Sequence, residues 1–234
     1  MPPRRAAPDS SSAAPDDARA RILRTAADLL FVRGYGALTM DELAHELGMS
    51  KKTIYVHFAG KDEILLAIIG AIGEGVRRQT DAVLGDRDLG LVEKLRQVLL
   101  IISQNMGRAS PGLLRELQRL APRAYRSIDE LRATNIPLVI GRILRMGAAE
   151  GLVRDDVDPQ FATEFWISAI NGLSDPAVLG RTGLTPRETF DRAIRIFLDG
   201  VATEAGRREI AAALDSGAPP RPGGGGRPGN RAGG

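Results

Sequence analysis

Apolar residues recur along this chain at three- and four-residue intervals from about Asp17 to about Val201, and no stretch alternates as a half-buried strand would. The pattern predicts an all-α fold. Between about Asp17 and Val32, Ile22, Ala26, Leu29 and Leu30 share one face with Leu23 and Ala27 beside them. That run stops at Arg33-Gly34-Tyr35-Gly36, where glycine supplies a left-handed terminus. Thr39 is placed to cap a second helix, whose first turn carries Asp41 and Glu42 where the helix dipole favours anions, and which ends at Gly48. Ser50 caps a third helix, Lys51 to about Phe58, and a fourth opens near Lys61 and runs toward Leu84.

The same periodicity continues. A helix from Leu89 to about Met106 buries Leu91, Leu95, Val98, Leu99 and Ile102, and a shorter one follows from Ser110 to Leu120. A long helix from Pro122–Arg123 to Gly151 contains Pro137, which removes an intrahelical hydrogen bond and is expected to kink it. Asp158-Pro159 starts a helix to about Leu173, Asp175-Pro176 breaks the chain again, and Thr185-Pro186-Arg187-Glu188 spells a capping box opening the last helix. About nine helices are predicted in all. Residues 1–16 and 207–234 are rich in Pro, Ser, Gly and Arg without periodicity, and are expected to be largely disordered tails.

Composition narrows the chemistry. At 234 residues, 43% hydrophobic and 26% charged, the chain can bury one or two ordinary cores. It has no cysteine and two histidines, so a disulfide framework, a thiol nucleophile and a Cys- or His-built metal cage are excluded, and no metal or cofactor is expected. The N-terminus lacks the apolar core of a signal peptide, and no stretch approaches the ~20 apolar residues of a membrane span, so a cytoplasmic setting away from the membrane is expected. No phosphate loop and no histidine–carboxylate pair at useful spacing point to an enzyme.

A net charge of +3 would not mark a nucleic-acid binder, but its distribution does. Three of the four lysines, Lys51, Lys52 and Lys61, fall inside or just after TMDELAHELGMSKKTIYVHFAGK, the segment from Thr39 to Lys61. That segment is a short helix, a glycine-centred turn and a second short helix, the layout of a helix-turn-helix that lays its second helix in the major groove of DNA. Leu43, Ala44, Leu47, Met49, Ile54 and Phe58 are expected to pack inward. Ser50, Lys51, Lys52, Thr53, Tyr55 and His57 are left outward, with Thr39 and Lys61 flanking them. Two lysines in succession at a helix start are opposed by the helix dipole, which points to phosphate or base contact as their reason for being there. His45, mid-helix among polar neighbours, reads as an ordinary surface residue.

Phe31-x-x-Gly34-Tyr35, Thr39-Met40-x-x-Leu43-Ala44, Leu47-Gly48-Met49-Ser50-Lys51, Ile54-Tyr55-x-His57-Phe58 and Lys61-x-x-Ile64-Leu65 together resemble the N-terminal domain of TetR/AcrR-family transcriptional regulators, without a gap from about Asp17 to Gly75. The resemblance implies that Thr39, Tyr55 and Lys61 hold phosphates, that Ser50, Lys51, Lys52 and Thr53 lie where bases are read, and that His57 is a phosphate partner nearby. Many relatives carry glycine or proline where this chain has Lys52, so the operator sequence does not transfer.

The resemblance also implies a division of the chain into a DNA-binding domain over 17–75 and a helical effector-binding and dimerisation domain over 76–206. It implies a homodimer through the helices at about 159–173 and 186–202, acting on a palindromic operator in double-stranded DNA. Phe161, Phe165, Trp166 and Ile170, set among Ala162, Ala169 and Gly172, give the first of those helices apolar groups on more than one face, as a helix meeting both its own domain and a partner would have. Leu99, Ile102, Met106, Leu117, Tyr125, Ile140, Leu144 and Trp166 are the candidate lining of a pocket for a small, largely apolar effector. Gly70, Gly73 and Gly75 in the fourth helix admit two readings, bending between the halves or close packing. The expected function is a ligand-released repressor, with a dimeric architectural DNA-binding protein of the same fold, lacking an effector, as the alternative.

Overall fold

Local capping chemistry sets where the helices begin. In a computed structural model, residues 15–215 are described. The first four helices are α1 (Pro15–Arg33), α2 (Met40–Leu47), α3 (Lys51–His57) and α4 (Lys61–Gly85). The Thr39 hydroxyl accepts from the Glu42 amide at 3.1 Å, and Ser50 accepts from the Thr53 amide at 3.1 Å. Gly34 and Gly48 adopt the left-handed conformation, φ 87° and 61°, that ends α1 and α2 at no steric cost to glycine.

Seven helices follow: α5 (Leu91–Met106), α6 (Pro111–Leu120), α7 (Pro122–Ala149), α8 (Pro159–Leu173), α9 (Pro176–Thr182), α10 (Pro186–Val201) and α11 (Glu204–Asp215). Asp158 caps α8, Asp175 caps α9, and Thr185 with Glu188 forms the reciprocal box at α10. The described residues thus hold eleven helices rather than about nine. The additions are α9, inserted after the Asp175-Pro176 break, and α11, which makes residues 207–215 helix where the sequence pattern predicts tail. Pro137 lies inside α7 without ending it. The remaining tail residues, 1–14 and 216–234, lie outside the described part of the chain.

Two hydrophobic clusters form. The head cluster joins Ile22, Leu30, Tyr35, Leu38, Leu43, Ile54 and Phe58 to Ile64, Leu65, Ile68 and Ile69 of α4, and is completed by Leu113 and Leu117 of α6 and Ala121 and Ala124 at the start of α7. The body cluster is built by α5, the second half of α7, α8 and α10, with Leu84 from the far end of α4. Both α4 and α7 therefore belong to both clusters, and each runs unbroken from one to the other.

Glycine decides two close approaches. A Cβ on Gly73 would stand 2.8 Å from Leu131 Cδ2, and the Gly73 carbonyl accepts from Asn135 Nδ2 at 3.2 Å, so this glycine seats α4 on α7. Gly70 and Gly75 face open space. Of the two readings, close packing holds at Gly73 alone. At the other end, Gly206 lets α11 lie against the loop after α7, where a Cβ would come within 2.2 Å of the Leu152 carbonyl oxygen. Thr203 ties the same loop, its amide donating to Leu152 O and its hydroxyl to Gly151 O, both at 3.0 Å.

Candidate nucleic-acid interface and the cavity behind it

The short α3 is fixed from beneath by Ile54 and Phe58, both buried in the head cluster. With one inward side chain per turn, the rest of a 3.6-residue period faces outward. Ser50, Lys51, Lys52, Thr53 and Tyr55 are exposed and His57 is half-buried, so the structure brings these sequence-selected residues to one surface. Thr39 is exposed at the start of α2 and Lys61 half-buried at the start of α4, flanking α3 on both sides.

The lysines are not equivalent. Lys51 Nζ sits 2.6 Å from Asp41 Oδ1 in the first turn of α2, and that carboxylate holds its ammonium above the usual lysine range. An exposed pair of this kind adds little stability, but it gives Lys51 a partner and so answers part of the dipole argument made for it. Lys52 has no ion-pair partner among the described residues and projects directly away from Ile54. Lys61 Nζ lies 4.2 Å from the centre of the Tyr35 ring, a cation–π contact that fixes where its charge is presented. The Tyr35 hydroxyl in turn donates to Asp62 Oδ1, and burial together with the Asp62 and Glu116 carboxylates pushes that phenol far above its ordinary range.

Sequence reading missed two residues of this region. Val56 is 76% exposed on α3, four residues after Lys52 and on the same outermost face. Its exposure, for a β-branched apolar side chain on a polar surface, follows from the 3.6-residue period once Ile54 is known to be buried. The second is Glu116 on α6, which accepts from the Tyr35 amide at 2.9 Å and from the Gly36 amide at 2.8 Å. This carboxylate clasps the loop between α1 and α2 from a helix that is distant in sequence, and no local pattern marks it.

Behind α6 lies a cavity of about 270 Å³ between the two clusters. Leu99, Ile102 and Met106 of α5, Leu117 of α6, Ile140 and Leu144 of α7 and Trp166 of α8 all line it, as does α4 from Leu65 to Val76. Tyr125 does not: it packs against the head cluster, one side of α7 away, because its position near the start of α7 faces α1–α6 rather than the body. Among the described lining residues only Asn105, Arg132 and Asn135 are polar.

On the opposite flank, α8 and α10 expose Phe161 (72%), Phe165 and Ile196 (74%), with the Phe165 ring stacked 6.5 Å from Phe197. Among the described residues, no cluster of His, Asp and Glu could hold a metal ion, and no helix is long and apolar enough to cross a membrane.

A family model for bacterial regulatory proteins of the tetR family matches residues 22–68, the segment from α1 into α4 that carries this surface. The HTH-type transcriptional regulator YvaF of Bacillus subtilis (strain 168), itself uncharacterized, is 24% identical over 184 residues, spanning 79% of this chain and 95% of its own. Residues 22–68 thus match the N-terminal domain of tetR-family regulators, and the chain as a whole is similar to proteins of that kind. Two solved structures show the extent of the shared fold. The regulatory protein TetR from Rhodobacter sphaeroides superposes with a TM-score of 0.59 at 21% identity, over 79% of this chain and 98% of that one. SmeT of Stenotrophomonas maltophilia, in complex with triclosan, gives 0.59 at 16% identity, over 81% and 93%. The similarity places a helix-turn-helix of the kind found in DNA-binding transcriptional regulators in the N-terminal part of the chain.

Proposed function

We propose that this protein is a homodimeric, sequence-specific repressor that leaves its operator when a small, largely apolar molecule fills the cavity. The observation that carries the reading is the course of α4. It begins where the recognition surface ends, at Lys61, and its residues from Leu65 to Val76 form part of the cavity wall. A molecule bound there interacts differently with two placements of α4, and only such a difference can shift a population between them.

In this reading residues 17–75 are the DNA-binding domain and 76–206 the effector-binding and dimerisation domain. Thr39, Tyr55, His57 and Lys61 hold phosphates, and Ser50, Lys51, Lys52 and Thr53 face base edges. The exposed phenylalanines of α8 and Ile196 of α10 are the apolar face that a second copy covers, and in such a dimer the two α3 helices would read successive major grooves about 34–36 Å apart. The SmeT complex with triclosan shows that this fold can hold a small molecule, which supports the effector half of the reading. The architectural alternative called for a sealed core, and a 270 Å³ cavity argues against it.

Selection of bound fragments from random DNA tests the reading. A two-fold symmetric consensus is expected, recovered by a dimer. Recovery of fragments with no shared sequence would overturn the repressor reading in favour of the architectural one.

A further inference from the structure

The polar corner of the cavity is asymmetric. Arg132 is the one charged side chain among the described lining residues, and only 15% of its side chain is exposed. Its Nη1 is shared between Asp129 Oδ1 at 3.2 Å and Asn171 Oδ1 at 3.3 Å. Asp129 is itself half-exposed, so it is only partly committed to the pair. The Arg132 Nε is buried and has no hydrogen-bond partner. A guanidinium presents five N–H donors in a rigid fork, and an edge left unmet inside an apolar wall is costly unless something else meets it. One turn along α7, Asn135 binds the Gly73 carbonyl, which puts this corner directly against α4.

We infer that the effector is an amphipathic anion, an apolar body bearing a carboxylate or comparable oxyanion that docks on the guanidinium of Arg132, the one charged group among the described lining residues, while the hydrocarbon lies between α5, α7, α8 and α10. The inference rests on the ligand-responsive reading given above and supplies the chemical class it lacked. Planar carboxylate and the Arg132 fork match two hydrogen bonds at once, and in surroundings this apolar such a charge-assisted pair outweighs a neutral hydroxyl at the same place. Ile102, Leu144, Trp166 and Phe197 offer the hydrocarbon wall without any further charge to satisfy. Because the anion sits where α7 meets Gly73 of α4, its arrival acts on the helix that carries the DNA-binding head.

The chain has one tryptophan, Trp166, and it lines the cavity, so its emission reports occupancy directly. Decanoic acid, decanol and decylamine, each titrated below its aggregation limit, serve as matched probes with the full-length protein. The acid is expected to perturb Trp166 saturably and to bind ~10-fold or more tighter than the alcohol, a margin typical of a charge-assisted pair. In Arg132→Met the acid should lose that advantage while decanol binding stays within about two-fold, and Arg132→Lys should recover part of it. Equal affinity for acid and alcohol in the unmodified protein, or no binding of either, overturns the assignment whether or not the variants fold. Operator release measured with the same probes separates the two readings. Acid binding through Arg132 without release sinks the repressor switch and leaves the site standing, whereas release by all three probes alike does the reverse.

Discussion

At the scale of single residues, the structure splits a set of side chains that sequence treats alike. Lys51 is engaged by Asp41, Lys61 lies on the Tyr35 ring, and Lys52 is free among the described residues. Lys52→Ala is therefore expected to change which bases are preferred, costing ~1–3 kcal/mol at the position it reads, with Lys51→Ala acting in the same direction but less because an ion pair is surrendered first. Lys61→Ala and Tyr55→Phe should weaken binding to every sequence about equally, and for Lys61 the salt slope should drop by about one. Titrations on the selected operator and on a scrambled one at several salt concentrations distinguish these outcomes; four unchanged variants would refute the site. Tyr35 gives a pH prediction. Its phenol is raised above the unfolded value of ~10, so the stability it contributes is complete below that pH and is lost as pH climbs toward the folded value. Denaturation midpoints should fall above pH ~10 in the unmodified protein and fall less in Tyr35→Phe. Arg132 and Glu116 escaped sequence reading for one physical reason. A charged residue in a helix is normally solvated, and only the assembled neighbours reveal that these two are turned inward or pressed onto another segment's backbone.

At the scale of elements, what was legible depended on how local the determining interaction is. The starts of α2, α3, α8 and α10 were readable because a cap and its recipient amide lie within three residues of each other, as in the Thr185–Glu188 box. The exposed face of α3 was readable for a similar reason, since one buried position, Ile54, sets the phase of the whole helix. By contrast α11 was hidden. Its sequence from Glu204 to Asp215 holds only Ile210 and Leu214 as large apolar residues, and what seats it is the approach of Gly206 to a carbonyl more than fifty residues earlier. Gly206→Ala is expected to lower stability by ~1–3 kcal/mol, the usual result of forcing an extra methyl into a closed contact. Gly200→Ala is the control: it faces open space in helical backbone near the end of α10 and should stabilise by ~0.5–1 kcal/mol. Thermal melts of both decide whether α11 is docked as described, since equal effects in the two would contradict it.

At the scale of the whole molecule, the division into head and body that the sequence suggests is a division of chemistry more than of packing. The head's core takes Leu113, Leu117, Ala121 and Ala124 from beyond α5, and α4 and α7 are common to both clusters. Denaturant unfolding followed by Trp166 emission, which senses the body, and by helical circular dichroism, which senses everything, should therefore give one coincident transition. Two separated midpoints would show the halves to be independent. The carboxylate of Glu116 adds to this union by gripping the Tyr35 and Gly36 amides from α6. That grip bears on how such a regulator can be recombined. A chimera that joins residues 15–85 to a foreign body leaves behind the clasp and four wall residues of the head, so DNA reading does not travel as a cassette cut after α4. The smallest exchangeable piece reaches to Ala124, and it carries part of the cavity wall with it.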